Sequence, residues 1–349
     1  MKDGVRGGTR GSPTVLVVGG AGFVGSNLVR RLLEDGADRI VVVDNFLSSE
    51  PDNLPDDARV ELREGSIADD RVLGALDDEF AHAVHLATYH GNQSSIAAPL
   101  ADHEHNLLAT LKLFERLRTF RRLERVVYAS AGCVLAKGGD GTEVDVAPLD
   151  LDSPYQISKL AGEMYALHYH RTHGLPIVRA RFQNVYGPGE VLGAGRWRGT
   201  PATVWRNVTP TFLYRALKGL PLRVHGDGSA TRDFVHVDDV VEGLVLLART
   251  PGTEGEAFNL ASGVETSIRE LAQTVLELVG GGTVESEPVR EWDRSLHRVG
   301  STAKSRERLG FEAHVPLRAG LAGTIEWTRA NLPRIERCIE RHRERLAAA

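Results

Sequence analysis

The stretch at 14–25, TVLVVGGAGFVG, constrains this chain more than any other. Val15, Leu16, Val17 and Val18 run without alternation, as a parallel strand buried on both faces requires. Glycines at 19, 22 and 25 then break the run, and the amphipathic segment SNLVRRLLEDG follows at once. The order is strand, tight turn, helix. Glycine belongs in such a turn because the chain bends sharply and its backbone approaches a ligand. The helix N-terminus offers unpaired N–H groups and a partial positive charge, which suit a pyrophosphate. A glycine triplet alone is weak, but a second apolar strand at 39–43 ends in Asp44, nineteen residues after Gly25. A dinucleotide-binding unit places there the carboxylate that accepts hydrogen bonds from the adenosine ribose. An acid at that position, with no Arg immediately after it, favours NAD over NADP.

The rest of the first half keeps the same rhythm. Short apolar strands are expected at 59–63, 83–87, 125–130 and 176–182, with helices at 69–76, 106–118 and 154–173 between them. Strands alternating with helices imply an α/β chain with a Rossmann-type, doubly wound parallel sheet. From Tyr186 the rhythm breaks into GPGEVLGAGRWRGTPATVWRN, which is too irregular for the sheet. Ligands in open α/β folds sit beyond the carboxyl ends of the strands, so an insertion there builds the substrate side. A helix at 210–217, a strand at 222–225, a strand at 258–261 and a helix from Leu317 complete the expected elements. The division expected is a dinucleotide-binding domain at 13–184, to which 227–262 returns. A smaller C-terminal α/β substrate-binding domain takes 185–226 and 263–345, and residues 1–12 form a floppy leader.

Composition narrows the function classes. A net charge of −5 argues against a general nucleic-acid binder, which needs a basic face. No apolar run reaches the roughly 18 residues of a membrane span, and the N-terminal stretch has no apolar core to make it a signal peptide. The two cysteines, Cys133 and Cys338, form no disulfide framework and lack metal-site spacing, which fits a reducing, cytoplasmic setting. The pairs His103/His105 and His168/His170 fall in helical stretches, where an i,i+2 spacing points the rings to different faces. No metal site is expected.

The chemistry-bearing motif is YQISK, which sets Tyr155 and Lys159 four residues apart on one helix face. A free phenol, with a pKa of about 10, is no base at neutral pH. A nearby ammonium and a cationic nicotinamide stabilise the phenolate and lower that value. The pair can then remove a hydroxyl proton while the cofactor takes a hydride from the same carbon.

With GGAGFVG, Asp44, the HLA of 85–87, YQISK, RFQNVYGPG and RDFVHVDD in place, the chain resembles the extended short-chain dehydrogenase/reductase family. Within it, the nucleotide-sugar epimerases and dehydratases are most similar, with UDP-sugar 4-epimerases nearest. The resemblance runs from about Thr14 to Phe311 and implies NAD as cofactor and a UDP-sugar as substrate. It implies Tyr155 as the base and Lys159 as the residue that orients the nicotinamide ribose. Cofactor contacts are implied for Gly19, Gly22, Phe23, Val24, Gly25, Asp44, Asn45, Ser48, Ser66, Ile67, Leu86, Ala87, Thr88 and Asn106. Substrate contacts are implied for Thr88, Cys133, Asn184, Asn207, Val208, Arg223, His225, Arg232 and Arg298, the last two through bidentate guanidinium–phosphate geometry. The family pairs through two helices, here 106–118 and 154–173, so a homodimer with a four-helix interface is expected.

The departures from the family pattern bear on the reaction. The family carries a Ser or Thr hydroxyl after the fifth strand, and here the segment YASAGCVLA puts Ala131 in that place. Ser130 lies one residue early, where a strand-end side chain points the other way, so help for the hydroxyl must come from Ser130, Thr88 or Tyr89. Dehydratases of the family hold an Asp–Glu pair at the next positions, and UDP-glucuronate decarboxylases a Glu. This chain has Ala131, Gly132 and Cys133, so no elimination machinery is evident. Cys133 is read first as a small buried residue and second as a thiol acid. Ser66 replaces the family's adenine-contacting Asp. Arg196 and Arg198 suit either a sugar carboxylate or a loop-packing role. The expected function is NAD-dependent C4 epimerisation of a UDP-hexose or UDP-hexuronate through a transient 4-keto sugar. The alternatives are a dehydratase or decarboxylase, a 4-ketoreductase, and a catalytically silent NAD-binding protein.

Overall fold

A computed structural model describes residues 14–89, 91–134, 143, 151–290 and 296–349; the expected leader at 1–12 lies outside them. Six strands form in the first half: β1 (Thr14–Val18), β2 (Arg39–Asp44), β3 (Val60–Glu64), β4 (His82–His85), β5 (Arg125–Ala131) and β6 (Ile177–Phe182). The later strands are β7 (Asn184–Tyr186), β8 (Leu222–His225), β9 (Thr231–His236), β10 (Ala257–Leu260), β11 (Glu265–Ser267) and β12 (Val284–Glu287). One seven-stranded sheet runs in the order β10-β6-β5-β4-β1-β2-β3, and every pairing in it is parallel. Val15 and Val17 of β1 face one apolar layer and Leu16 and Val18 the other, so both faces of the strand are buried. The strand order reverses between β1 and β4, which opens a crevice at their carboxyl ends.

The helix Pro154–His173 has the bounds expected from the sequence, for a local reason. Ser153 caps its first turn by accepting from the Gln156 N–H, Pro154 occupies the first position, and Gly174 ends it in the left-handed region at φ 68°. The helix expected at 106–118 forms differently. It begins at Pro99, passes through a π-helical stretch at His103–Leu108, and ends as Ala109–Leu117. The side chains of Asp102, Asn106 and Thr110 are turned inward there and bonded to one another or to backbone, and such a bulge re-aims side chains.

Beyond β6, two small sheets, β11-β9-β7 and β12-β8, enclose a separate apolar cluster with Phe212, Leu271 and Leu321 at its centre. Within 227–262, the helix Val237–Arg249 packs on Phe23–Glu34 and β10 joins the main sheet, whereas β9 belongs to a small one. The helix Ala303–Leu309, expected with the substrate side, packs against β10 and Val237–Arg249. Among the described residues, no helix is long and apolar enough to cross a membrane.

Candidate active site

The crevice opens into a cavity of about 850 Å³ between the main sheet and the smaller sheets. One end is built for a dinucleotide. Gly19 has φ 83°, and a Cβ on it would lie 2.5 Å from the Ala87 amide; a Cβ on Gly25 would overlap the Gly19 carbonyl. The turn therefore tolerates no side chain at either position, and a ligand can reach its backbone. Helix Phe23–Glu34 starts at Gly22 with no side-chain cap and no acid in its first turn, leaving its N–H groups for an anion. Asp44 does more than the sequence implied. Its Oδ2 accepts from the Ala21 N–H at 2.9 Å, and its Oδ1 accepts from the Phe46 N–H at 2.9 Å and the Ser49 hydroxyl at 2.8 Å. One carboxylate thus ties the glycine turn to the loop after β2 while facing the cavity. These residues fit NAD, which would lie along Gly22–Gly25, Asp44, Asn45, Ser48, Ser66 and Ile67; all of them line the cavity.

Leu86, Ala87, Thr88, Ser130, Cys133, Tyr155 and Lys159 line its middle. Lys159 is 3% exposed and donates to the Ala129 carbonyl at 3.0 Å, so its ammonium is fixed against the end of β5. Burial pulls it down to about 8, opposed by the nearby Asp102. Burial pushes the Tyr155 phenol well up, and the nearby Thr88 hydroxyl works the other way. Burial also raises the Cys133 thiol, against the pull of Arg298. Ser130 Oγ is buried with no hydrogen-bond partner among the described residues.

The far end gathers the residues with an implied substrate role: Asn184, Asn207, Val208, Arg223, His225, Arg232 and Arg298 all line it. Asn207 Nδ2 donates to Glu190, whose carboxyl burial pushes up to about 7. Arg223 faces Glu287 at 3.2 Å, and His225 Nδ1 bonds the Pro288 carbonyl at 2.9 Å.

Two residues fall elsewhere. Asn106 is 2% exposed and does not line the cavity. Its Oδ1 accepts from the Tyr89 N–H at 2.6 Å and the Thr88 hydroxyl at 3.0 Å, and its Nδ2 donates to the Tyr89 carbonyl and to Asp102. It clasps the loop after β4 and so acts on the site from behind. Arg196 is exposed and lines a separate outer groove with Trp197, Arg341 and Arg345. Gly195 turns the chain there at φ 86°, packed on Leu47, and the Arg196 side chain is carried outward. Arg198 is buried behind the cavity with its Nη1 on the Leu47 carbonyl. Of the insertion's arginines, Arg206 lines the cavity, and the sequence did not single it out. Its guanidinium donates to the carbonyls of Ser48, Val191 and Ala194. Together with Gly195 N–H on Glu50 and Arg341 on the same carboxylate, it straps the insertion and the C-terminal helix over the loop after β2. Among the described residues, no group of three His, Cys, Asp or Glu side chains could hold a metal ion.

Residues 15–261 match the NAD dependent epimerase/dehydratase family. The UDP-glucose 4-epimerase of Mycolicibacterium smegmatis is 34% identical over 319 residues, covering 90% of this chain and 98% of that protein. The dTDP-glucose 4,6-dehydratase of Streptomyces antibioticus is 32% identical over 325 residues, covering 91% and 92%. A crystal structure of the Bordetella bronchiseptica enzyme WbmF in complex with NAD+ and UDP has a TM-score of 0.89 and 56% identity, covering 97% of this chain and 98% of that one. Relatives with two different reactions stand at similar identity, while the glycine cradle, Asp44 and the tyrosine–lysine pair are what their shared cofactor demands. The chain belongs to the NAD-dependent epimerase/dehydratase family.

Proposed function

We propose that the protein epimerises C4 of a UDP-hexose or UDP-hexuronate. The observation that carries this is the cavity's middle: Tyr155 and Lys159 line it together with Ala131, Gly132 and Cys133, which offer no carboxylate. NAD, when bound, takes up and returns a hydride. Tyr155 removes the O4 proton and later restores it, and the Lys159 ammonium stabilises the phenolate. The far end holds the nucleotide diphosphate through Arg232, Arg298 and Asn207 while the 4-keto sugar turns its other face. Glu190, a buried acid on the cavity wall, is the feature that favours elimination instead; its bond to Asn207 ties it to the diphosphate side.

Proton NMR of the purified protein with UDP-glucose, UDP-N-acetylglucosamine and UDP-glucuronate, without added NAD, tests the reading. A new C4-epimer anomeric signal that settles at a substrate–product mixture is expected with one of them. A 4-keto or pentose signal would move the assignment to dehydratase or decarboxylase.

A homodimer belongs to the same reading. Leu108, Ile157 and Tyr165 are exposed on the helices expected to pair, and Ile96 and Leu100 on the short helices Asn92–Ala97 and Pro99–Asp102 before them; exposed apolar side chains there call for a cover. Sedimentation of the pure protein checks it. The free cysteines support a cytoplasmic setting.

A further inference from the structure

The helix Val208–Leu217 starts at the far end of the cavity with Asn207 as its N-cap, in extended backbone at φ −130° and ψ 148°. An asparagine in that place ordinarily turns its side-chain oxygen onto the second or third helical N–H. Asn207 makes no such bond. Its Nδ2 donates to the Glu190 carboxylate instead. The third helical position is Pro210, which has no N–H, so a capping Asn207 could take only the Thr209 N–H. As the chain stands, the Val208 and Thr209 N–H groups have no acceptor among the described residues, and both residues line the cavity. The next N–H, that of Thr211, goes to the Asn207 carbonyl, which also accepts from the Thr211 hydroxyl at 2.7 Å. Asn207 is therefore fixed by its backbone and turned aside only by its side chain.

Glu190 is 5% exposed, and its other oxygen is buried without a partner, so among the described residues Asn207 is the one hydrogen-bond partner of its carboxyl. Its backbone is held from the dinucleotide side. Asn27, on Phe23–Glu34, donates to the Pro188 carbonyl at 3.0 Å, and a Cβ on Gly189, which has φ 103°, would lie 2.9 Å from the same amide. We propose that Glu190 is a positioning residue for the nucleotide diphosphate: it withdraws Asn207 from the helix end and so keeps the Val208 and Thr209 N–H groups open to phosphate oxygens. This rests on the reading of the far end as the diphosphate site. A carboxylate only accepts, so it fixes the Asn207 amide with its nitrogen towards Glu190 and its oxygen off the helix end. The open N–H groups carry the positive end of the helix dipole, where an anion is favoured. The second hydrogen on Asn207 Nδ2 remains free to join them.

The test uses the full chain with its NAD and compares UDP with uridine, which lacks the diphosphate. Calorimetry reads UDP affinity, and saturation-transfer NMR reads uridine affinity. Glu190→Ala frees Asn207 to take the Thr209 N–H, so UDP should bind about fivefold more weakly, the worth of one N-cap, with uridine unchanged. Glu190→Gln keeps an acceptor for Asn207 Nδ2 and should restore UDP binding to the wild-type level. In an Asn207→Ala background, Glu190→Ala should change neither affinity, because no side chain is left to cap the helix. Undiminished UDP affinity in Glu190→Ala would overturn the proposal, as would an equal weakening of UDP and uridine. So would the same UDP loss in the Asn207→Ala background, or a Glu190→Gln protein that binds like Glu190→Ala. A wild-type chain that binds UDP no better than uridine would refute the diphosphate site, and the proposal with it. Absence of an epimer in the turnover assay, with these binding results intact, would refute the epimerase reading alone.

Discussion

Glu163 stands one helical turn beyond Lys159, and the structure makes it the anchor of the catalytic helix. Its carboxylate is fully buried and meets Arg181 of β6, itself fully buried, through Nε at 2.9 Å and Nη2 at 2.6 Å. Arg179 lies 3.5 Å away. Tyr155, Lys159 and Glu163 follow at intervals of four, so one helix face carries the catalytic pair and then its bolt to the sheet. Glu163→Gln keeps the shape but removes the negative charge between two buried guanidinium groups. Breaking a buried pair from one side costs about 3–5 kcal/mol, and the amide oxygen still accepts one Arg181 N–H, so about 3 kcal/mol is expected. With a urea slope near 3 kcal/mol/M for a chain of this size, the midpoint should fall by about 1 M. Glu61→Gln is the control: its side chain is 40% exposed against Arg39 and Arg63, and its loss should cost under about 1 kcal/mol. Urea unfolding followed by circular dichroism reads both. A Glu163→Gln midpoint shift no larger than that of Glu61→Gln would refute the claim that this pair bolts the helix down.

Gly25→Ala should lower the NAD carried through purification by roughly tenfold or more, because the new methyl overlaps the Gly19 carbonyl and must push the turn off its ligand; the cofactor released on denaturation, measured by absorbance, checks it. Lys159→Met and Tyr155→Phe should each lower turnover by about 10²–10⁴-fold in the NMR assay without unfolding the protein. Lys159 also sets an alkaline limit, since the ammonium is lost as pH rises through about 8 and the rate should fall there. Its folded value lies below that of a free lysine, so between the two the unfolded chain binds more protons. That contribution makes the protein more stable as pH rises from about 8 towards 10, and Lys159→Met should abolish the increment in urea midpoints.

The fold was legible because its signals are local. Four aliphatic residues before Gly19, and Ser153, Pro154 and Gly174 around the long helix, state their conformations without reference to anything distant. The cavity's dinucleotide end and its middle were legible for the same reason, since βα turns and YQISK are short motifs. The arginines of the insertion were not. Whether Arg196, Arg198 or Arg206 faces inward depends on Gly193 packing on the backbone of Cys338 and Gly195 on Leu47, contacts made across well over a hundred residues. The role of Asn106 was hidden likewise. Its spacing reads as helix, while its side chain serves a loop seventeen residues earlier. Polar residues that hold other residues in place leave no periodic mark.

Arg206 and Asn207 are chain neighbours with opposite allegiances. The first clamps the loop that follows Asp44, and the second faces the end of the cavity expected to hold the sugar nucleotide. A peptide unit is stiff, so displacement of one residue is felt by the other. The loop over the adenosine end cannot swing open alone: its bonds run to partners some 150 and 290 positions away, at Gly195, Arg206 and Arg341. Departure of a dinucleotide from beneath it is therefore a rupture between distant parts of the chain and not a local fraying, and its rate is governed by the same cohesion that keeps the smaller sheets seated. A cofactor held in this way turns over with the fold, not with the substrate.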